Sequence, residues 1–176
     1  MTILKTVNEQ DAQGKVAEIY EQMKGIFGGV PNAFKVFSAS PFLLEQQWKN
    51  LGYYFHHQSI DNELTAYIRM LVSVSHTCKY CIDMNMGLLM QGGAKLEDLQ
   101  STMENPENAK LDEKRKAMLL FVLKVVHNSN HVEAEDLEKL RNLGWNDGEI
   151  LEATYHGTSQ IGVDAIFNAF KIDKDY

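Results

Sequence analysis

The sequence predicts an all-α fold, and three observations lead to that prediction. Apolar residues recur at intervals of three and four along most of the 176-residue chain, which is the spacing of helices buried on one face. No Asn-Gly or Asp-Gly pair lies between two alternating runs, so hairpin signals are missing. Prolines occur only at positions 31, 41 and 106. We therefore expect one domain, residues 1–176, of roughly eight helices with short connections.

The first helices are marked by the residues at their ends. Amphipathic spacing from Val16 predicts a helix that stops at Gly28-Gly29, and Asn32 begins a brief second one. Ser40 followed by Pro41 is a cap residue with a proline at the first helical position. This pair predicts the start of a third helix.

The later helices follow from similar signals. Asp61 caps a helix that reaches a bend near residues 75–76, and the next helix runs from about Thr77 to Gln91 before Gly92-Gly93. The remaining helices are expected over residues 96–103, from Asp112, over residues 133–142, and from Asn146 or Asp147 onward.

Composition and charge exclude several function classes. The net charge is −7, and the largest basic cluster is the triplet at residues 114–116, so nucleic acid and anionic membranes are not expected partners. The N-terminus lacks the basic start and apolar run of a secretory signal. The apolar runs are far shorter than a membrane span. We expect a cytoplasmic protein.

Both cysteines of the chain lie in one CxxC motif, Cys78 and Cys81, at the start of a predicted helix. The unpaired backbone N–H groups of a first turn stabilise a thiolate, which is the nucleophilic form of cysteine. A three-residue spacing also puts both sulfurs on one face, within reach of a disulfide. Two further interpretations stay open: a pair of small buried hydrophobes, and half of a zinc site. We expect no metal and no cofactor.

Two stretches around this motif carry a family resemblance, namely VPNAFKVFSASPFLLEQQW and ELTAYIRMLVSVSHTCKYCIDMNMGLLMQGG. They resemble the carboxymuconolactone decarboxylase and alkyl hydroperoxidase D (AhpD) superfamily, and most of all its peroxidase-related members, over roughly residues 30–170. The resemblance implies an all-helical AhpD-like domain that forms intertwined homo-oligomers, as a dimer, trimer or hexamer. It also implies reduction of organic hydroperoxides, with recycling by lipoyl- or thioredoxin-like thiols.

The family's redox motif, E-x11-CxxC-x3-H, gives the two cysteines separate roles. By position the resemblance implies that Cys81 attacks the peroxide and that Cys78 resolves the sulfenic acid. The glutamate and histidine of the family's proton relay fall on Ala66 and Asn85 in this chain. The thiol pair is present, and the usual relay residues are not.

Four nearby residues are candidates to assist the thiols. His76 can stabilise a thiolate or accept a proton, although a histidine in a bend is often structural. Glu63 lies one turn before Ala66, and it also suits the N-terminus of its own helix. Tyr80 could donate a hydrogen bond or simply pack. Asn85 can orient a substrate or water but cannot act as a base.

The expected function is a thiol-dependent peroxidase of the peroxiredoxin type, slow because the relay is missing. A thiol–disulfide oxidoreductase or redox sensor is the first alternative, because it needs only the CxxC pair. A non-redox, decarboxylase-like enzyme and a purely structural oligomer are the remaining alternatives.

Overall fold

The structure, a computed structural model, describes residues 2–175, and all regular structure in that part of the chain is helical. The predicted all-α class is therefore confirmed, with nine α-helices in place of roughly eight. They are α1 (Gly14–Phe27), α2 (Asn32–Lys35), α3 (Pro41–Phe55), α4 (Asn62–Ser75), α5 (Lys79–Gln91), α6 (Leu96–Glu104), α7 (Glu113–Asn128), α8 (Ala134–Asn142) and α9 (Asp147–Phe170).

The predicted helix caps are confirmed where the signals were strongest. The side chain of Asp61 accepts a hydrogen bond from the backbone N–H of Leu64 at 2.8 Å, and Asp112 does the same for Arg115 at 2.9 Å. Ser40 caps α3 with Pro41 in the first turn. Gly28 ends α1 in the left-handed conformation that glycine adopts without strain.

The chain divides into two compact units, and the boundary on the C-terminal side falls inside α9. The first unit contains the described residues up to His56 and from Ile166 onward. There α1 packs on α3, with Tyr20, Met23 and Leu44 buried. The expectation of a single domain stays a prediction.

The second unit, His57–Ala165, contains the CxxC motif. In it α4 packs against both α5 and α7, and nine consecutive or near-consecutive residues of α4 are buried. Gly157 of α9 is a point of close approach: a Cβ added there would lie 2.3 Å from Cγ1 of Val122 and 3.3 Å from Cγ2 of Ile68. Glycine at this position therefore brings α9 against α7 and α4.

The length and the apolar character of the helices decide whether any of them could span a membrane. None of those within residues 2–175 combines the length and the apolar character that a membrane-spanning segment needs.

Candidate active site

The turn between α4 and α5 places the first cysteine. The backbone N–H of Cys78 donates to the carbonyl of Ser73 at 3.1 Å, and that of Thr77 donates to Val74 at 3.2 Å. This is the hydrogen-bond pattern of a Schellman motif, in which one residue adopts the left-handed conformation. Here that residue is Thr77, with φ of 52°, rather than the usual glycine. The turn ends α4 and leaves Cys78 as the N-cap residue of α5.

The two sulfurs lie together in the interior of the unit. The Sγ atoms of Cys78 and Cys81 are 2.9 Å apart, both cysteines are free, and each is only 1% exposed. They are within hydrogen-bond distance and close to the approach that a disulfide requires. The sequence-based expectation that the spacing brings both thiols to one face is met by this geometry.

The two thiols differ in acidity. The hydrogen bond from the Cys81 thiol lowers the pKa of Cys78, and the backbone N–H of Cys81 at the start of α5 lowers it further, while burial acts in the opposite direction. The same hydrogen bond raises the pKa of Cys81, and burial raises it again. The pair therefore loses its first proton most easily from Cys78, and the resulting thiolate accepts a hydrogen bond from Cys81.

A buried carboxylate accompanies the sulfurs. One carboxylate oxygen of Asp164, in α9, lies within 4.8 Å of both sulfurs, and the residue is 0% exposed. Its Oδ1 accepts hydrogen bonds of 2.8 Å from the Ser73 hydroxyl and from Nε2 of Gln160. Its negative charge raises the pKa of both thiols. We call Ser73, Gln160 and Asp164 the carboxylate cluster.

A second group of polar residues lies on α4, α5 and α9. Nε of Arg69 donates to Oδ1 of Asn85 at 2.7 Å, and its Nη1 lies 3.1 Å from Nε2 of His156. Nδ2 of Asn85 donates to the carbonyl of Cys81 at 2.8 Å. We call Arg69, Asn85 and His156 the guanidinium cluster. It fixes the backbone of Cys81 by way of Asn85.

Burial sets the charges in the guanidinium cluster. It lowers the pKa of Arg69 to about 10, so the guanidinium stays positive at neutral pH. Burial and the charge of Arg69 together lower the pKa of His156 to about 3, so this imidazole is neutral. A neutral Nε2 accepts the hydrogen bond from Arg69, which leaves Nδ1 as the protonated nitrogen.

The sequence-predicted helpers occupy different places. Asn85 is buried, with both ends of its amide bonded within the protein. Tyr80 is buried in α5 between the cysteines. His76 follows the last residue of α4, and its Nδ1 lies 3.0 Å from the carbonyl of Val72. Glu63 forms an ion pair of 2.7 Å with Arg115.

The structure therefore gathers Asp164 with the thiols, and neither Glu63 nor His76 joins that group of donor atoms. Two sulfurs and a carboxylate oxygen are also a donor set that could hold a soft divalent metal ion. Thiolates on a tetrahedral zinc lie about 3.8 Å apart, given Zn–S bonds of about 2.3 Å. In this structure the sulfurs are 2.9 Å apart, closer than they would be on zinc.

Sequence reasoning missed Arg69, Ser73, Gln160 and Asp164, and it could not place His156. One signal was available. His156, Gln160 and Asp164 recur every four residues in α9, which puts three polar side chains on one face of a helix that also carries apolar residues. A buried polar stripe of this kind indicates a site, because buried polar groups need partners.

Solved structures share this fold over nearly the whole chain. The AhpD core of an uncharacterized peroxidase-related protein from Ralstonia eutropha JMP134 superposes with a TM-score of 0.85 at 19% identity, covering 99% of this chain and 92% of that one. An uncharacterized peroxidase-related protein from Silicibacter sp. TM1040 gives 0.84 at 21% identity, covering 98% and 91%. The debrominase Bmp8, solved with 2,3,4-tribromopyrrole, gives 0.76 at 16% identity, covering 99% and 92%.

These superpositions confirm the AhpD-like fold that the sequence motifs predict. Comparison with protein-family models and with curated proteins finds no match.

Proposed function

We propose that this chain is a thiol-dependent oxidoreductase that reduces small organic hydroperoxides with the Cys78–Cys81 pair. The observation that carries the proposal is the geometry of the pair: two free thiols 2.9 Å apart at the start of α5, with the pKa of Cys78 lowered. A two-cysteine peroxidase needs a thiolate to attack oxygen and a second thiol to resolve the product. Both are supplied within one turn of helix.

The chemistry balances with these groups alone. A thiolate attacks the terminal oxygen of the hydroperoxide, the O–O bond breaks, and the alkoxide leaves as an alcohol after it takes a proton. The resulting sulfenic acid is attacked by the second sulfur, which forms the disulfide and releases water. The two thiols lose two electrons and two protons, and the peroxide gains them. A cellular dithiol then restores both thiols.

Two arguments assign the attacking role to different cysteines. The family resemblance gives the attack to Cys81, whereas the hydrogen bond within the pair favours ionisation of Cys78. The remaining proton lies between two sulfurs that are only 2.9 Å apart, so a singly ionised pair can present either thiolate. Trapping the sulfenic acid with dimedone in Cys78→Ser and Cys81→Ser would identify the sulfur that attacks.

Burial favours small reactants over protein partners. Each cysteine is 1% exposed, so a bulky protein disulfide cannot reach the sulfurs without a change in the structure. A small hydroperoxide and a lipoyl-like dithiol on a flexible arm fit this access better than a flat protein surface. We expect slow turnover, because Ala66 and Asn85 replace a relay of the kind that is worth roughly 10²–10⁴ in rate.

The test compares thiol loss in native and urea-unfolded protein after addition of tert-butyl hydroperoxide, with the Cys78→Ala/Cys81→Ala variant as the blank. Unfolded thiols report the rate of an ordinary cysteine. We expect faster loss in the native protein and one intramolecular disulfide per chain. Native thiols that react no faster than unfolded ones would refute the peroxidase and favour a dithiol sensor or a structural role.

A second candidate is reductive dehalogenation. It is favoured by the debrominase Bmp8, whose fold covers 99% of this chain with a TM-score of 0.76. In that reaction a carbon–bromine bond would become carbon–hydrogen, bromide would leave, and the pair would be oxidised to the disulfide. Incubation of the reduced protein with a bromopyrrole distinguishes the candidates: release of bromide with formation of one disulfide would favour this reaction.

A further inference from the structure

A buried polar atom without a hydrogen-bond partner is unusual in a folded protein. Oδ2 of Asp164 is the one buried side-chain oxygen or nitrogen in the described residues that makes no hydrogen bond. Leaving a buried acceptor unpaired is unfavourable, so such groups are rare and need a reason. Oδ1 of the same carboxylate accepts two hydrogen bonds, so only half of the group is left open.

The carboxylate of Asp164 lies beside the thiol pair. One of its carboxylate oxygens lies within 4.8 Å of the Sγ atoms of both Cys78 and Cys81. Ser73 and Gln160 hold the other side of the carboxylate from α4 and from one turn earlier in α9. The carboxylate is thus fixed in place beside the sulfurs, with one lone-pair-bearing oxygen unused.

No member of the guanidinium cluster is suited to accept a proton from the thiols. On α4, Arg69 is a cation and donates to Asn85, so it accepts no proton. On α9, the imidazole of His156 accepts from Arg69 and is buried. On α5, Asn85 is not a base, and the carboxylate of Asp83 lies outside the group of donor atoms that contains both sulfurs.

We propose that Asp164 is the proton acceptor of the Cys78–Cys81 pair. It takes the one proton that the pair must lose before either sulfur can attack, and it returns that proton to the departing alkoxide. The return of the proton to the alkoxide rests on the proposed function. The transfer of a proton from the thiols to Asp164 applies to any oxidation of the pair.

The proton balance closes. The pair begins with two protons and the carboxylate with none. Transfer of one proton to Asp164 leaves a singly ionised pair, whose remaining proton is shared across 2.9 Å. Attack breaks the O–O bond, and the alkoxide takes the proton held by Asp164. The proton of the second thiol leaves with the water formed at resolution, so the carboxylate ends as it began.

The test uses Asp164→Asn, with Asp83→Asn as the matched control that removes the same charge two residues from Cys81. Two rates are measured against pH in each protein: alkylation by iodoacetamide, which reports the thiolate population, and disulfide formation with tert-butyl hydroperoxide. A third rate, disulfide formation with the azo oxidant diamide, does not depend on peroxide chemistry. Circular dichroism verifies the fold.

The expected result is a split between the rates. Asp164 raises the pKa of both thiols, so its removal should leave alkylation as fast as in the wild type or faster. Alkylation releases iodide, which needs no proton, whereas the alkoxide and the reduced diamide nitrogen each need the proton that Asp164 returns. Both oxidations should therefore slow, by about 10²-fold for loss of one acid–base group. Ser73→Ala, which loosens the carboxylate but keeps it, should slow both oxidations several-fold with unchanged alkylation, and it serves if Asp164→Asn fails to fold.

Other outcomes separate this inference from the proposed function. If alkylation and both oxidations rise together in Asp164→Asn, the carboxylate acts only as a charge and the inference is wrong. If wild-type protein fails with peroxide while Asp164→Asn still slows the diamide reaction, the peroxidase proposal is wrong and the proton acceptor stands. Equal effects of Asp83→Asn would also overturn the assignment.

Discussion

The guanidinium cluster and the carboxylate cluster are both built on α4 and α9, and they differ in how completely their polar atoms are paired. In the first, Asn85 and His156 each meet a donor of Arg69. In the second, Oδ2 of Asp164 meets none. Complete pairing stabilises a structure, whereas an open buried acceptor destabilises it. The complete pairing supports a structural role for the guanidinium cluster, and the unpaired oxygen agrees with the proton role proposed for Asp164.

The largest expected effect is on the pH dependence of stability. The pKa of His156 is lowered to about 3 in the folded protein, so below its ordinary value near 6.5 the unfolded chain binds a proton that the folded one does not. Stability should therefore fall as the pH drops from about 6.5 toward 3, by up to about 1.4 kcal/mol per pH unit, and this contribution should be flat above 6.5.

Urea denaturation at a series of pH values measures this slope. Other acidic groups titrate in the same range, so the quantity of interest is the difference between the wild type and His156→Gln. That variant should lose the histidine part of the slope. Parallel curves for the two proteins would contradict a neutral, buried imidazole in the guanidinium cluster.

The next effect is a contrast between the two clusters. Arg69→Met leaves Asn85 and His156 without a donor, which should lower the free energy of unfolding by about 2–4 kcal/mol. Asp164→Asn removes a buried charge and should cost nothing or stabilise the protein. Arg141→Met, which removes only surface ion pairs, is the control and should change stability by less than about 1 kcal/mol. Equal losses of stability in Arg69→Met and Asp164→Asn would show that the two clusters do not differ in how their pairing affects stability.

A substitution that moves α9 should affect both clusters alike. Gly157→Ala places a Cβ 2.3 Å from Cγ1 of Val122, and overpacking of this kind costs about 1–3 kcal/mol. Gly162→Ala is the matched control in the same helix, because its Cβ would meet nothing within 4 Å. Thermal unfolding should show a lower Tm for the first variant alone. A neutral Gly157→Ala would mean that the helices separate at little cost.

The smallest expected effect lies at the turn before Cys78. Thr77 has φ of 52°, and a β-branched residue in this conformation is strained. Thr77→Gly should therefore stabilise the protein by about 1 kcal/mol and leave the rate of thiol alkylation unchanged. Lys171→Gly, at the other non-glycine position of positive φ within residues 2–175, should give a similar gain, with φ of 54°. A loss of stability would show that the Thr77 side chain contributes more than its strain costs.

Local features were predictable from the sequence, and long-range ones were not. The caps at Ser40, Asp61 and Asp112 involve hydrogen bonds to residues three positions away, so their residue types alone indicate them. The CxxC spacing likewise fixes two sulfurs on one turn of helix. Asp164 is far from the cysteines in the sequence. Its position beside them depends on how α9 packs, which no local sequence pattern predicts.

The two helpers that sequence proximity favoured illustrate the same limit. Glu63 is one turn from Ala66 along α4, yet Arg115 of α7 pairs with its carboxylate. His76 is two residues from Cys78, yet its ring lies against the carbonyl of Val72, one turn back. Each side chain thus has a partner that the spacing around the CxxC motif does not indicate.

The separation of the sulfurs also bears on what oxidation could signal. A disulfide needs the atoms to approach to about 2.05 Å, so the pair has less than about 1 Å to close from its spacing of 2.9 Å. A movement this small can be absorbed by side-chain rotation, and α5 has no need to shift or unwind. A redox switch must turn oxidation into a rearrangement that a partner detects. The proposed oxidation of this pair would instead proceed with almost no change of shape, which suits repeated turnover better than the transmission of a message.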